Sequence, residues 1–399
     1  MIKTVQNLLK INNIQSWLLI TAENGDPFFN KIISPNTMGL SVALITANSV
    51  NVFVHSLDAD NIVKTNYDRV HVYNSKVSIE ELLGQMIQKL RIKEFALNYT
   101  TIGDANVDKL GHGTYLKFTK LIKKHISTAT FISAEKLIYG IYDIKSEEEL
   151  SKMSICARRA NEILLTAFKK IKVGMSEKQV VEMTQELLDE KPKYFKEAGV
   201  IKETFSWEKN FCPIVLTGRS FLKGGHAVSS DQLIEKGNTV YFDFGVKLTF
   251  IDGTSWSSDI QRTGYVLRDE ESIAPDEIQE RFDIIKNSIT EGIEKATPNM
   301  KGFELDKIVR DYVKIHANVD YDHATGHAIG ESAHNPGAVI ANRATGLAAM
   351  NIQENGVYTI EPRIPVENGV SIEEMVVIKS GGKSYTLCTR QTELIYING

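Results

Sequence analysis

Apolar residues recur along this chain with two different periods. Short runs such as Trp17–Ile20, Val42–Ile45 and Val50–Val54 are rich in apolar and β-branched residues and bounded by polar ones, which predicts strands. Ser78 to Leu90 instead repeats its apolar positions every three or four residues, the spacing of an amphipathic helix. Strands alternating with helices predict an α/β module, which gives way to a charged run between Leu137 and Lys145. The boundary falls at Ile144, with residues 1–144 as one domain and 145–399 as the next.

Beyond that point Ser146 and Glu149 form a capping-box signature, and the spacing of Ile155, Ile163, Leu164 and Phe168 predicts a long helix closed at Gly174. Ser176 and Gln179 repeat the signature and open a second helix through Val180, Met183 and Leu187. Strands are predicted at Thr239–Phe242 and Gly264–Leu267, helices at Asp276–Lys295 and Gly302–His316, and strands again at Val357–Ile360 and Met375–Ile378. The fold class is α+β for this second part.

Composition narrows the functional classes. A chain of 399 residues with 42% hydrophobic and 24% charged residues has the balance of an ordinary globular protein of two domains. The net charge of -4, without a basic block, offers no footprint for nucleic acid or an anionic membrane. Cys156, Cys212 and Cys388 lie far apart without C-x-x-C spacing, so reduced thiols are expected. The N-terminal residues read as neither signal peptide nor membrane span, and a cytoplasmic location is expected.

Four acids sit beside apolar runs where strands are predicted: Asp243, Asp259, Glu361 and Glu373. A buried carboxylate costs several kcal/mol unless a cation or hydrogen bonds compensate it, and a divalent metal compensates best. His226, His327 and His334 accompany them in compact, mostly glycine-rich settings. Oxygen and nitrogen donors without thiolates suit Mn, Co, Fe or Zn. Taken singly, each acid is better read as a turn or cap residue, and each histidine as a structural one.

Their order, however, resembles the pita-bread metallopeptidases, the family of prolidase, aminopeptidase P, methionyl aminopeptidase and creatinase. Val240-Tyr241-Phe242-Asp243-Phe244-Gly245 resembles the family's apolar-Asp-x-Gly strand. Ser258-Asp259-Ile260-Gln261-Arg262-Thr263 resembles its Ser-Asp-Ile-Thr-Arg-Thr segment, with Gln261 in place of one Thr. His327-Ala328-Ile329-Gly330 with His334, Tyr358-Thr359-Ile360-Glu361-Pro362 and Gly369-Val370-Ser371-Ile372-Glu373 resemble its histidine and glutamate motifs.

The resemblance implies a C-terminal pita-bread domain preceded by an α/β creatinase-like domain. It also implies two divalent metal ions, Mn first, with Co, Zn or Fe as alternatives. Asp243 would hold one ion, His327 and Glu361 the other, and Asp259 and Glu373 both, around a shared water. Glu361 would carry the proton, His226 would contact substrate, and His334 would stabilise the tetrahedral intermediate. His323 completes His-x-x-x-His with His327, which with the N-terminal module points to peptidases cleaving Xaa-Pro bonds in dipeptides or short peptides. A homodimer is implied as well.

Departures from the family pattern cluster on the substrate side. Ser371 stands where Arg is usual, Arg363 where Gly follows Glu-Pro, Asn335 where an acid follows the second histidine, and Thr392 where Arg precedes Glu-Leu. The alternatives are an amidohydrolase of the ectoine-hydrolase or creatinase kind, or a binding protein without catalysis. Creatinase-like enzymes dispense with the metals and non-catalytic relatives lose ligands; this chain retains all five.

Overall fold

The residues before Tyr142 build their own core around one sheet. Its strands are β1 (Ser16–Thr21), β2 (Ser41–Thr46), β3 (Val50–His55), β4 (Arg69–Tyr73), β5 (Glu94–Leu97) and β6 (Thr130–Ser133), in the order β4-β3-β2-β1-β5-β6. The hairpin strands β1, β2 and β3 pair antiparallel, whereas β4, β5 and β6 join in parallel. The helix Ile79–Leu90 begins where Ser78 Oγ accepts from Glu81 N, and its Leu83, Met86 and Ile87 pack with Phe95, Phe118 and Ile122. In this computed structural model, residues 1–34, 36–62, 67–224 and 227–398 are described. They form two compact units, Met1–Ile141 and Tyr142–Gly399.

The second unit opens with two helices whose starts follow from their capping boxes. Glu149 Oε2 accepts from Ser146 N at 2.8 Å, and Ser146 Oγ accepts in return from Glu149 N. Ser176 and Gln179 repeat the exchange. The helix Glu147–Lys170 stops before Gly174, because Ile171 turns extended and is buried; Gly174, in the left-handed region at φ 88°, shapes the following turn instead.

That helix lays Met153, Ala157, Ala160, Leu164 and Phe168 on β9 (Thr239–Phe244) and its neighbours. In order, the strands of this unit are β7 (Val200–Phe205), β8 (Ile214–Thr217), β9, β10 (Val246–Phe250), β11 (Ser255–Ser257), β12 (Ile260–Val266), β13 (Gly326–His327), β14 (Val339–Ile340), β15 (Val357–Ile360), β16 (Glu374–Val377), β17 (Tyr385–Thr386) and β18 (Ile395–Ile397). A second helix pair, Asp276–Lys295 and Gly302–Ala317, packs Phe282, Ile285, Ile289, Leu305 and Val309 against Tyr358, Ile360 and Val376.

Strand β16 lies between these two helical layers, so both of its faces are covered. Along β16, Met375 and Val377 join the first core while Val376 joins the second. Each fully buried Phe or Leu contributes about 1.5–3 kcal/mol, so this alternation pins the register. Among the described residues no helix is long and apolar enough to cross a membrane.

Candidate metal centre

Strand alternation brings the acids together. On β9, Val240, Phe242 and Phe244 point into the first core, which turns Tyr241 and Asp243 to the opposite face. Gln261 on β12 is the direct antiparallel partner of Asp243, and Asp259 immediately precedes that strand. Glu361 follows β15, and Glu373 precedes β16 and forms a bridge with Gln261. His327 ends β13, held where its N–H donates to Thr359 Oγ1 at 3.2 Å while Glu361 N donates to Thr325 O at 2.8 Å. Gly326 is required there, since a Cβ would collide with the Thr359 carbonyl.

The result is a cavity of about 400 Å³ lined by Asp243, Asp259, Gln261, His327, His334, Glu361 and Glu373. Its remaining wall is Trp207, Glu208, Phe211 and Ile214. His327 Nε2 lies 3.8 Å from Asp259 Oδ2 and 3.8 Å from Glu361 Oε1, and its ring meets that of His334 at 4.3 Å between centroids. Asp259, His327 and Glu373 offer ligand atoms that all lie within 4.8 Å of one another.

Electrostatically the cluster is incomplete as protein alone. Burial raises the Asp243 carboxyl to about 7 and Glu361 to about 8, the latter also through the charge of Asp243. Asp259 and Glu373 are pushed well above the carboxylate range by burial and then by their acidic neighbours. No hydrogen bond reaches Asp243 Oδ1, Asp259 Oδ1 or either oxygen of Glu373 among the described residues. Four buried, unpartnered carboxylate oxygens facing an imidazole form the donor set of a hard divalent cation, so these residues fit a metal.

A larger cavity of about 610 Å³ shares Asp243, Gln261, His327, His334 and Glu361 and extends past His323, Arg363 and Ser371. His323 Nδ1 lies 2.7 Å from Ala324 O, and burial lowers its pKa, which favours the neutral ring. His226 lies outside the described residues.

A sequence profile of metallopeptidase family M24 matches residues 151–380, more than half of the chain. The chain belongs to metallopeptidase family M24. It is therefore a metallopeptidase, an enzyme that acts on peptides with divalent metal ions. This M24 enzyme is 29% identical over 280 residues to an Xaa-Pro dipeptidase of Pyrococcus horikoshii, covering 69% of this chain and 71% of the relative. It is also 29% identical over 295 residues to the uncharacterized peptidase YqhT of Bacillus subtilis, covering 73% of each. The solved X-Pro aminopeptidase of Thermotoga maritima superposes with a TM-score of 0.69 at 21% identity, over 98% of this chain and 100% of that one. The M24 enzyme thus has the α+β pita-bread fold, with the α/β unit Met1–Ile141 before it in the chain.

Several residues of this M24 site stand out only in three dimensions. Trp207 and Phe211 come from an irregular stretch with no sequence motif, and only their aromatic character marks them. Gln261 and Arg363 did carry a signal, as departures from the family pattern, but nothing in the sequence shows that both face the acids.

Proposed function

We propose that this protein is a dinuclear-metal-dependent peptidase hydrolysing Xaa-Pro bonds in dipeptides or at the N-terminus of short peptides. The observation that carries the reading is the set of buried carboxylate oxygens without partners around His327. The likeness to an Xaa-Pro dipeptidase supports the proline preference.

Asp243, Asp259, His327, Glu361 and Glu373 would hold two divalent ions, which when bound polarise the scissile carbonyl and bring the pKa of a water toward neutrality. Glu361 then accepts the proton of the attacking water and delivers it to the leaving nitrogen. Gln261 Nε2 donates to Glu361 Oε2 at 2.8 Å and keeps that carboxylate aimed. His334 donates to the carbonyl oxygen as it gathers charge, and neutral His323 lines the same cavity. His226 contacts the substrate in this scheme. The aromatic wall of Trp207 and Phe211 excludes water from one side.

Residues 1–144 serve as the creatinase/prolidase-like domain and 145–399 as the catalytic domain. The enzyme works with manganese, as a cytoplasmic homodimer with no nucleic-acid or membrane partner. The decisive assay reconstitutes metal-depleted protein with Mn²⁺ or Co²⁺ and offers Xaa-Pro dipeptides beside longer Xaa-Pro peptides. About two ions per chain and metal-dependent release are expected; no release from any of these peptides overturns the reading.

A further inference from the structure

We propose that Arg363 is a specificity-determining residue of this site, fixing the free carboxylate of the residue that follows the scissile bond. The inference deepens the peptidase reading and rests on it. Three observations carry it.

The first is placement. Arg363 lies two positions beyond Glu361, and both line the same cavity. Its backbone forms an antiparallel bridge with Ser371, so the two are direct cross-strand partners. Paired residues project to one face of a ladder. The guanidinium missing at 371, where Ser stands, is therefore supplied from the opposite strand, on the same face.

The second is an unmet need for an anion. Arg363 is only 3% exposed, and a buried guanidinium is costly unless its charge and its N–H groups are met. Its carbon lies 3.7 Å from the Phe221 ring centroid and 5.7 Å from that of Tyr241, which covers its face. Nη2 donates to Phe221 O, while Nε has no partner among the described residues. Tyr241, Asp322, Asp243 and Glu361 contribute negative potential; Asp243 and Glu361 belong to the proposed metal set, and Asp322, on the same cavity, forms no ion pair with Arg363 among the described residues. With those charges engaged, the planar fork lacks the bidentate partner it suits best, a carboxylate.

The third is the division of the site. Trp207, Phe211 and Ile214 make the wall of one cavity apolar, whereas Arg363 gives the other a fixed cation. Lys223, also at that cavity, is exposed and solvated. Two extended positions span about 7 Å, within the combined reach of the two side chains, so an anion held at Arg363 can belong to the residue that follows a bond held at Glu361. That geometry selects peptides ending one residue after the cleaved bond.

The test uses the full chain loaded with Mn²⁺ and four uncleavable probes: Ala-Pro and Ala-Ala with the peptide bond reduced to a methyleneamine, each as free acid and C-terminal amide. Calorimetric titration should show the free acids binding roughly 10- to 100-fold tighter than the amides, whichever residue is second. Arg363→Gln should abolish that preference. Arg363→Lys should retain part of it, with thermal unfolding establishing that both variants are folded. Equal binding of acid and amide by the wild type, a preference surviving in Arg363→Gln, or no binding of any probe overturns the proposal. Failure to prefer proline over alanine would instead count against the Xaa-Pro reading and leave the carboxylate result standing.

Discussion

Gln261 joins Ser371 to Glu361: Ser371 Oγ donates to Gln261 Oε1 at 2.7 Å, and Gln261 Nε2 donates to Glu361 Oε2 at 2.8 Å. Both Gln261 and Ser371 depart from the family pattern, and here they meet. Gln261→Ala removes a hydrogen bond to an ionised group, so kcat should fall roughly 10- to 100-fold with KM nearly unchanged. Ser371→Ala should add little on top of it, since the two act in one chain. Steady-state kinetics of the two single variants and the double variant checks both statements.

Glu373 illustrates function bought against stability. Both its oxygens are unpartnered, and its neighbours are acids. Glu373→Gln should stabilise metal-depleted protein by about 1–4 kcal/mol near neutral pH while lowering its metal content. Thermal unfolding beside elemental analysis reads the two effects; a less stable metal-depleted variant contradicts the crowding described here.

Arg262 clamps the segments that carry Gln261 and Glu373 to each other. It is 1% exposed, donates to Gln261 O and Glu373 O at 2.9 Å each, and pairs with buried Glu374 at 3.3 Å. Arg262→Met strands the Glu374 charge and should cost about 3–5 kcal/mol in urea unfolding, with much of that recovered by adding Glu374→Leu.

Asp143 should impose a pH dependence of its own. Burial raises its carboxyl to about 6, against the lowering effects of Lys145 and the Tyr358 hydroxyl, which donates to it at 2.6 Å. Its contribution to stability is full below the ordinary carboxylate range and is lost as pH rises through about 6, because the folded chain must then bury an anion. Asp143→Asn escapes this loss. Relative to wild type it should gain about 2 kcal/mol between pH 4 and pH 7.5 in denaturant titrations.

Local signals made much of the fold legible. The helix Asp276–Lys295 and the strand Val357–Ile360 lie where periodicity places them, and both capping boxes form. Strand β12 begins at Ile260, four residues before the predicted Gly264, because polar Gln261 and Arg262 are buried there and satisfied by partners distant in sequence. Strand β7 was not predicted, since its Lys202, Glu203 and Thr204 break the apolar run. The acids and imidazoles named in the sequence, His226 aside, surround the two cavities described here. The meeting of Arg363 with the face of Ser371 was not legible, because cross-strand pairing joins positions that no local pattern relates.

The bridge between Gln261 and Glu373 and the hydrogen bond from Gln261 to Glu361, 100 positions away, predict that this site assembles late in folding. Helices of the two layers form from local contacts, whereas these pairings must first close long loops. A refolding chain should therefore gain its helical signal well before it can capture a divalent metal ion. Metal uptake in stopped-flow refolding becomes a clock for the last strand pairing rather than for collapse.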